Sequence, residues 1–551
     1  MISESSKNNT VLFWSLGGMP LKLNFEGAIA KALMLRGYGA HAILCDGSFR
    51  ACIKRDIKEN SPICQWAEVC PKCKRDAANV LEAIGVPFSF IGEFVPEKAR
   101  LELWDETEGI TWDSLERLGF KGIFVGKSAQ SAITRYLQGS QLAGREEIVH
   151  EYAYSALICA AAAENIFKKF MPAKIFMSTG TYVDYGPALH TALRMEIPAC
   201  AWMASYLAAR FYFRHIEDNM RIDFHNISHA AWENCRKLQI DRAKELRLNE
   251  FFANRYKDNI SFDMKKFHSY SGDALGLRKR YAPSLDKPAW GILAHINWDS
   301  VSDYSPMAYS SFDAWILETI KIVSQITDIQ WIIKIHPAES WDNPYSGVRK
   351  LIERHYPSLP SHIRVIPSEE KISPLDFLQM IDGGVTVYGT AGLELLLQGK
   401  PVILAGEAHY GGKGFTYDGL TPESYAQLLQ KARTLLAPDH EKQLLAKKYA
   451  YCYFIQRQIP FPALWDPNTD WWNYQPRNEA LLLPRKEPFA DFICERIVDG
   501  KDFIMTEDLV SKAHKAYSKG FIGRTRSFLS KIRKRGMEEA VNMLNRIKRK
   551  V

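Results

Sequence analysis

One segment constrains the fold more than any other: residues 385–416 have the sequence VTVYGTAGLELLLQGKPVILAGEAHYGGKGFT. It begins with a β-branched strand, turns at Gly389 and Thr390, and continues as a helix over 391–398. A second apolar strand follows at 402–404. Strand, turn, helix and strand in this order predict an α/β domain with a parallel sheet.

The turn is a candidate phosphate site. The N-terminus of the following helix exposes backbone N–H groups, which together with the helix dipole attract an anion. Thr390 adds a hydroxyl group, and Glu394 lies one turn further on. A carboxylate at that position is able to accept hydrogen bonds from two ribose hydroxyls. The alternative is a core helix with an ordinary N-cap and no ligand.

A second candidate site follows an apolar strand upstream. Residues 331–335 form a run typical of a buried parallel strand, and His336-Pro337 stands at its end. Ligands of open α/β sheets bind at the carboxyl ends of the strands. We therefore predict that His336 donates to a phosphate oxygen or a nucleotide sugar. The alternative is that His336 only ends the strand.

The order of these motifs carries a resemblance. His336-Pro337, the Gly-Thr turn and LExxxxGKPVI resemble the nucleotide-binding domain of GT-B glycosyltransferases, best over about residues 285–430. More narrowly, they resemble the bacterial capsule and surface-polysaccharide biosynthesis family, which includes Kdo-transferring enzymes. The resemblance implies that Glu394 holds the donor ribose and that His336 contacts the donor phosphate or nucleotide.

Two loops complete the predicted donor site. The loop after the strand at 290–294 carries His295, Asn297 and Asp299, and the resemblance implies that it touches the donor's phosphates or sugar. An ordinary folded polar loop is the alternative. Lys413, in a glycine-rich loop, is predicted to neutralise charge that develops on the leaving nucleotide.

The N-terminal half opens as a second Rossmann-like domain. Strand 11–16, helix 24–35 and strand 41–46 alternate, although Gly17-Gly18 is not a dinucleotide fingerprint. At 551 residues the chain is too long for one core. The predicted fold is α/β with GT-B architecture: two Rossmann-like domains that face a cleft, plus a basic helical tail. The predicted divisions are an acceptor domain (1–275), a donor domain (286–475), a return segment (476–505) and the tail (506–551).

Two carboxylates are predicted to project from the first domain into the cleft. Asp184, in a loop after the strand at 173–179, is the first candidate for the catalytic residue, and Glu26, in the first helical turn, is the second. Either carboxylate is suited to act as a general base or, in a retaining enzyme, as a nucleophile. For Asp184 the alternative is a turn residue before a helix that starts after Pro187.

A cysteine cluster predicts a structural zinc site. Cys70 and Cys73 have the two-residue spacing with which two thiolates grip one tetrahedral metal, and Cys52 and Cys64 supply a second pair. Unligated thiols are the main alternative. A redox pair is another, although the pair is not expected at a helix start beside a thioredoxin-like strand. The five cysteines beyond Cys73 are predicted to be small core or surface residues.

Charge and hydropathy predict a cytoplasmic protein with a basic tail. The first ten residues carry no signal-peptide pattern, and no apolar run reaches the length of a membrane span. Most cysteines are therefore expected to be reduced. Residues 511–551 have a local charge of +11, whereas the whole chain has +8, which argues against a nucleic-acid-binding body. Apolar residues at three- and four-residue intervals in the tail predict a basic amphipathic helix on the anionic inner membrane face. A solvated helix or a disordered tail is the alternative.

The predicted activity is sugar transfer from a nucleotide-sugar donor to a growing capsule, lipopolysaccharide or other surface glycan. We expect a glycan or lipid-linked acceptor. The donor nucleotide stays open among CMP, UDP, GDP and dTDP, and the resemblance implies a CMP-linked acid sugar such as Kdo as one candidate. No cofactor or catalytic metal is expected to be required. A nucleotide-sugar epimerase or polyol-phosphate transferase on the same fold, and a non-catalytic sugar-nucleotide-binding scaffold, are the alternatives.

Overall fold

The computed structural model describes most of the chain. The described residues are 9–52, 63–137, 142, 144–207, 209–216, 224–255, 272–298, 306–339, 347–370, 372–466, 471–472 and 478–515. The predicted basic tail, apart from its first residues, and Asp299 lie outside these ranges. Within them, no helix has both the length and the apolar character needed to cross a bilayer.

The first sheet has seven strands in the order β15-β8-β7-β6-β1-β2-β3. Neighbours among the five strands from β7 to β3 pair in parallel, whereas β8 and β15 add an antiparallel edge. The strands are β1 (Thr10–Trp14), β2 (Gly39–Leu44), β3 (Phe88–Phe90), β6 (Lys174–Ser178), β7 (Ala199–Ala204), β8 (Arg210–Ile216) and β15 (Ile459–Pro460).

The second sheet has six strands in the order β11-β10-β9-β12-β13-β14, and all of its neighbours pair in parallel. The strands are β9 (Ala289–Leu293), β10 (Gln330–Lys334), β11 (Ile363–Ile366), β12 (Gly383–Thr386), β13 (Val402–Leu404) and β14 (Tyr417–Asp418). Two short hairpins pair β4 (Gly119–Phe120) with β5 (Ile123–Phe124) and β16 (Trp465–Asp466) with β17 (Trp471–Trp472).

Helices connect the strands and cover the sheets. Those of the N-terminal half are Pro20–Met34, Cys70–Ile84, Glu97–Glu106, Trp112–Leu115, Gly126–Leu137, Glu147–Phe170, Tyr182–Arg194, His229–Arg236 and Arg242–Arg255. Those of the C-terminal half are Ala274–Tyr281, Phe312–Val323, Val348–His355, Pro374–Met380, Ala391–Leu397, Pro422–Gln430, His440–Tyr451, Glu479–Leu482 and Pro488–Asp499.

Both sheets are buried on both faces. In β1, Leu12 and Trp14 belong to one hydrophobic cluster, whereas Val11 and Phe13 belong to the cluster on the opposite face. Residues of a strand alternate between its two faces, so helices must cover both sides of such a sheet. The predicted α/β fold with two Rossmann-like units is confirmed.

The chain returns to the first sheet earlier than expected. β15 pairs with β8 at Ile459–Pro460, inside the segment assigned to the donor domain. The helix Pro488–Asp499, within the predicted return segment, packs on the first domain, where Arg36 pairs with Asp491.

Candidate functional site

The carboxyl ends of the two sheets meet across a cleft. Tyr206 follows β7 of the first sheet, and Thr390 follows β12 of the second. The Tyr206 hydroxyl lies 2.8 Å from Oγ1 of Thr390. Since ligands of open parallel sheets bind at the carboxyl ends of the strands, this contact brings the two expected ligand-binding edges together.

A buried tyrosine holds the Gly389-Thr390 turn by a hydrogen bond. The hydroxyl of buried Tyr410 donates to the carbonyl of Gly389 at 2.6 Å. A Cβ atom on Gly392 would lie 2.1 Å from that hydroxyl, so only glycine fits there. Thr390 does not cap the helix Ala391–Leu397 with its side chain, since its hydroxyl faces Tyr206 instead.

Glu394 lies on the same helix, but it is not open to a ligand. Its carboxylate is 4% exposed, and Oε1 pairs with Nη2 of Arg255 at 3.0 Å. Burial raises the pKa of Glu394, and the charge of Arg255 counteracts part of that rise. The predicted ribose-binding carboxylate is therefore held by an arginine, and a ribose would have to replace that arginine.

His295 holds the backbone beside the turn. Its Nε2 lies 3.2 Å from the backbone nitrogens of Val387 and Tyr388, whose N–H groups donate to it. Its ring stacks on Phe312 at 4.6 Å. Burial lowers the pKa of His295 to about 3, so the ring is neutral. This geometry gives His295 a structural task, and its predicted donor contact stays a prediction.

His336 and Lys334 stand at the end of β10. Nδ1 of His336 accepts a hydrogen bond from the Ala338 backbone at 3.1 Å, which leaves the proton of the neutral ring on Nε2. The Nζ atom of Lys334 is buried, and no described residue hydrogen-bonds to it. Burial lowers the pKa of Lys334 to about 8, against the attraction of Glu370 and Glu369. Sequence reasoning did not select Lys334.

The remaining predicted donor residues have partners of their own. Asn297 donates to Oδ1 of Asp313 at 2.7 Å, which ties it to the helix Phe312–Val323. The ammonium group of Lys413 lies 5.3 Å from the ring centre of Tyr449 and 5.9 Å from that of Trp232. Asp299 lies outside the described residues.

In the first domain, Asp184 lines a small cavity at the end of β1. It is 5% exposed, and it shares the cavity with Gly17 and Gly18. Burial raises the pKa of Asp184 to about 6, and the charges of Lys22 and Arg135 counteract part of that rise. The prediction of a loop at Asp184 is wrong, because the residue lies in the first turn of the helix Tyr182–Arg194.

Glu26 is more deeply enclosed. It is 1% exposed, and Nε1 of Trp202 donates to its Oε1 at 2.7 Å. Burial raises the pKa of Glu26 to about 7, and the hydrogen bond from Trp202 opposes this rise only in part. A carboxyl group so enclosed is well placed to support the wall of the cleft, whereas Asp184 reaches a cavity.

Replacement of Glu26 by Gln tests this burial. A carboxyl group whose pKa is raised in the fold destabilises the fold as pH rises from its unfolded pKa, 4.5, through about 7. One pKa unit corresponds to about 1.4 kcal/mol, so the cost above pH 7 is on the order of 3 kcal/mol. Gln keeps the oxygen that accepts from Trp202 and avoids this cost. We expect E26Q to raise the melting temperature at pH 8 and to change it little at pH 4.

The exposed Glu102 provides the control E102Q for this substitution, which should not change the pH dependence of stability. An equal pH dependence of E26Q and wild type would contradict the assignment.

The cysteines converge on the cavity that Asp184 lines. Cys45, Cys52, Cys70 and Cys73 all contribute to its wall. Among the described residues, no group of three or more potential ligands is arranged to hold a metal. The Cys64 side chain lies outside the described part of the chain, so the predicted zinc site stays a prediction.

One expectation about the cysteines is wrong. It does not concern the CPKC pair: Cys70 is the first residue of the helix Cys70–Ile84, but a 3-10 helix, Ile63–Val69, precedes it rather than a strand. Cys235 and Cys452 form a disulfide, which joins the end of the helix His229–Arg236 to the residue after the helix His440–Tyr451. These two cysteines are therefore a cross-link rather than separate small residues.

A family model described as "Capsule polysaccharide biosynthesis protein" matches residues 300–453. The matched segment contains His336, Thr390, Glu394 and Lys413. This match supports the resemblance to the capsule polysaccharide biosynthesis family that the sequence motifs indicated. No curated protein matches the chain.

Solved structures that resemble the chain include two transferases and an epimerase. A beta Kdo 2,4 transferase, KpsC of Thermosulfurimonas dismutans, is 15% identical, with 50% of this chain and 79% of that chain covered and a TM-score of 0.30. The calicheamicin glycosyltransferase CalG4 is 12% identical, with 81% and 95% covered and a TM-score of 0.24. A UDP-GlcNAc 2-epimerase of Neisseria meningitidis is 10% identical, with 80% and 94% covered and a TM-score of 0.23.

Proposed function

We propose that the chain is a GT-B-type glycosyltransferase that adds a sugar from a nucleotide-sugar donor to a surface glycan. The observation that carries this proposal is the contact between Tyr206 and Thr390 at 2.8 Å. It sets the carboxyl ends of two Rossmann-like sheets against each other, which is where a donor and an acceptor would meet. The capsule-family match over 300–453 supports a polysaccharide product.

The donor side of the proposed site lies on the second sheet. We assign the donor ribose to Glu394, and the donor phosphate to Thr390 and to Nε2–H of His336. Lys413, in the loop after β13, is assigned to the charge that develops on the leaving nucleotide. Fixed positive charges and hydrogen-bond donors at a developing anion stabilise the transition state without a catalytic metal.

The acceptor side lies on the first sheet. Asp184 is the better candidate for the catalytic carboxylate, since it lines a cavity and its pKa is raised to about 6. A general base works best when its pKa lies near the working pH. In a retaining reaction, the same carboxylate would attack the donor sugar instead. Glu26, buried against Trp202, is assigned to the support of this wall.

We also propose, from the sequence, that the basic tail binds the membrane surface. A tail of net charge +11 over 511–551 favours an anionic membrane surface, where each nearby Lys or Arg contributes about 1 kcal/mol. A lipid-linked acceptor would be found at the same surface. Almost all of these residues lie outside the described part of the chain.

Nucleotide binding followed by product analysis tests the activity. The melting temperature of the full chain is measured with CMP, UDP, GDP or dTDP. We expect one of these nucleotides to raise it. A ligand at 100 times its dissociation constant stabilises a fold by about 2.7 kcal/mol. The matching nucleotide sugars are then incubated with glycan acceptors, and we expect release of the nucleotide and an elongated glycan.

The products also separate the rival activities. A changed sugar that is still attached to its nucleotide would indicate an epimerase, whereas a transferred sugar phosphate or polyol phosphate would indicate the corresponding transferase. Binding without turnover of any donor would indicate a scaffold. If none of the four nucleotides binds, the proposed donor site is wrong.

A further inference from the structure

The guanidinium group of Arg255 has hydrogen-bond donors that the fold leaves unused. The side chain is 9% exposed, and its Nη2 pairs with Glu394. Its Nε and Nη1 atoms are buried, and neither has a hydrogen-bond partner among the residues that the structure describes. Buried donors without a partner cost free energy, so their presence at a cleft indicates a ligand.

The surroundings hold this guanidinium group in place. It lies 4.3 Å from the ring centre of Tyr206 and 5.7 Å from that of Phe454. Phe251 and Phe252 of the same helix pack on Phe454 at 4.8 and 5.2 Å. Arg255, the last residue of the helix Arg242–Arg255, is therefore held as a cation beside Tyr206 and Glu394.

Arg255 and Tyr206 together occupy the side chains that are predicted to bind the donor. Tyr206 hydrogen-bonds to Thr390, and Arg255 pairs with Glu394. Thr390 and Glu394 are the side chains assigned to the donor phosphate and the donor ribose, respectively. A donor that uses them must break both contacts, and the displaced Arg255 then needs another anion nearby.

We propose that Arg255 exchanges Glu394 for the phosphate of the donor nucleotide, while Glu394 turns to the ribose. This inference rests on the proposed function. The exchange leaves both buried charges satisfied, because a guanidinium group binds phosphate through two parallel hydrogen bonds. Arg255 then recognises charge and not the base, so its contribution is the same for any nucleotide that the protein binds.

Calorimetric titration of wild type and R255Q tests the exchange. The probes are CMP and UDP, each beside its uncharged nucleoside, cytidine or uridine. We expect wild type to bind the nucleotide more tightly than the nucleoside. In R255Q, nucleotide affinity should fall by roughly 10- to 100-fold, as for a lost charge-assisted hydrogen bond, and nucleoside affinity should not fall. R255K should retain part of the preference, since it keeps the charge but loses the second hydrogen bond.

Arg247 offers a matched control on the same helix. Its guanidinium group is paired with Glu507, Tyr451 and Ser511, so R247Q should leave the preference for nucleotide over nucleoside unchanged. The same preference in R255Q as in wild type would overturn this inference and leave the proposed function standing. A wild-type protein that binds neither nucleotide nor nucleoside would overturn both.

A second variant decides the matter if R255Q does not fold. E394Q keeps the size of the side chain and releases Arg255 from its carboxylate. Inorganic pyrophosphate has no ribose, so it probes Arg255 alone, and E394Q should bind it more tightly than wild type does. Equal or weaker binding of pyrophosphate by E394Q would overturn the exchange.

Discussion

Replacement of Asp184 by Asn is expected to reduce sugar transfer by roughly 100- to 10,000-fold, which is the usual contribution of a positioned general base. Asp184 is 5% exposed and lines a cavity at the carboxyl end of the first sheet. Its pKa, raised to about 6 by burial, leaves it ionised near neutral pH. Asn keeps the volume but accepts no proton, so the loss should appear in kcat while nucleotide affinity stays at the wild-type value.

The pH dependence separates this role from a structural one. In wild type, kcat/KM should rise with pH through about 6, the pKa of Asp184, and in D184N the remaining activity should not. The raised pKa also means that the ionised Asp184 destabilises the fold as pH rises from 3.8 through about 6. D184N should therefore be no less stable than wild type at pH 8.

Asp113 provides a control for this substitution. It too lies in the first turn of a helix, Trp112–Leu115, but its side chain is exposed. D113N should leave transfer unchanged. Turnover of D184N equal to that of D113N would eliminate Asp184 as the catalytic residue and direct attention to Glu26.

The central strands of both sheets could be predicted because burial on both faces leaves a plain pattern in the sequence, whereas β3, β8, β11, β14 and β15 were not predicted. The run at 331–335 was expected as a strand, and β10 occupies Gln330–Lys334. His336 follows it at the carboxyl end, where parallel sheets bind ligands. Local apolar runs and their ends were therefore sufficient to place the predicted donor residues on one edge of the second sheet.

The helix at Asp184 was missed because a local helix-breaking signal follows it, whereas tertiary packing stabilises a helix there. Gly186-Pro187 indicates a break, since proline removes a helical hydrogen bond. In the structure the helix Tyr182–Arg194 runs through Pro187. Val183 and Tyr185 are buried in the core, and such tertiary packing routinely overrides propensity.

The contacts across the cleft could not be predicted. Arg255 ends a helix whose exposed faces carry many charges, and no spacing connects it with Glu394, far along the chain. Tyr206 follows β7, but a lone aromatic residue in a loop carries no motif. Such pairs depend on how two domains meet, which local patterns do not encode.

The Arg255–Glu394 pair changes what a substitution of Glu394 should do. The Glu394 side chain is 4% exposed and the Arg255 side chain is 9% exposed, and Oε1 of Glu394 lies 3.0 Å from Nη2 of Arg255. E394A is therefore expected to lower stability as well as nucleotide affinity. Removal of one partner of a buried ion pair leaves an uncompensated charge, which costs about 3–5 kcal/mol. We therefore expect E394A to lower the free energy of unfolding, measured by urea denaturation, by that amount.

Removal of both charges should restore much of this loss. Apolar side chains of similar volume often replace a buried ion pair without a cost in stability, so R255M combined with E394L should be more stable than E394A. The exposed pair of Arg349 and Glu353, 45% and 46% exposed, gives the control E353A, which should cost under about 1 kcal/mol. If E394A were as stable as E353A, the buried pair would not be contributing to the stability of the fold. A double variant that has lost nucleotide binding but kept its stability would show that this pair serves the donor site and not the fold.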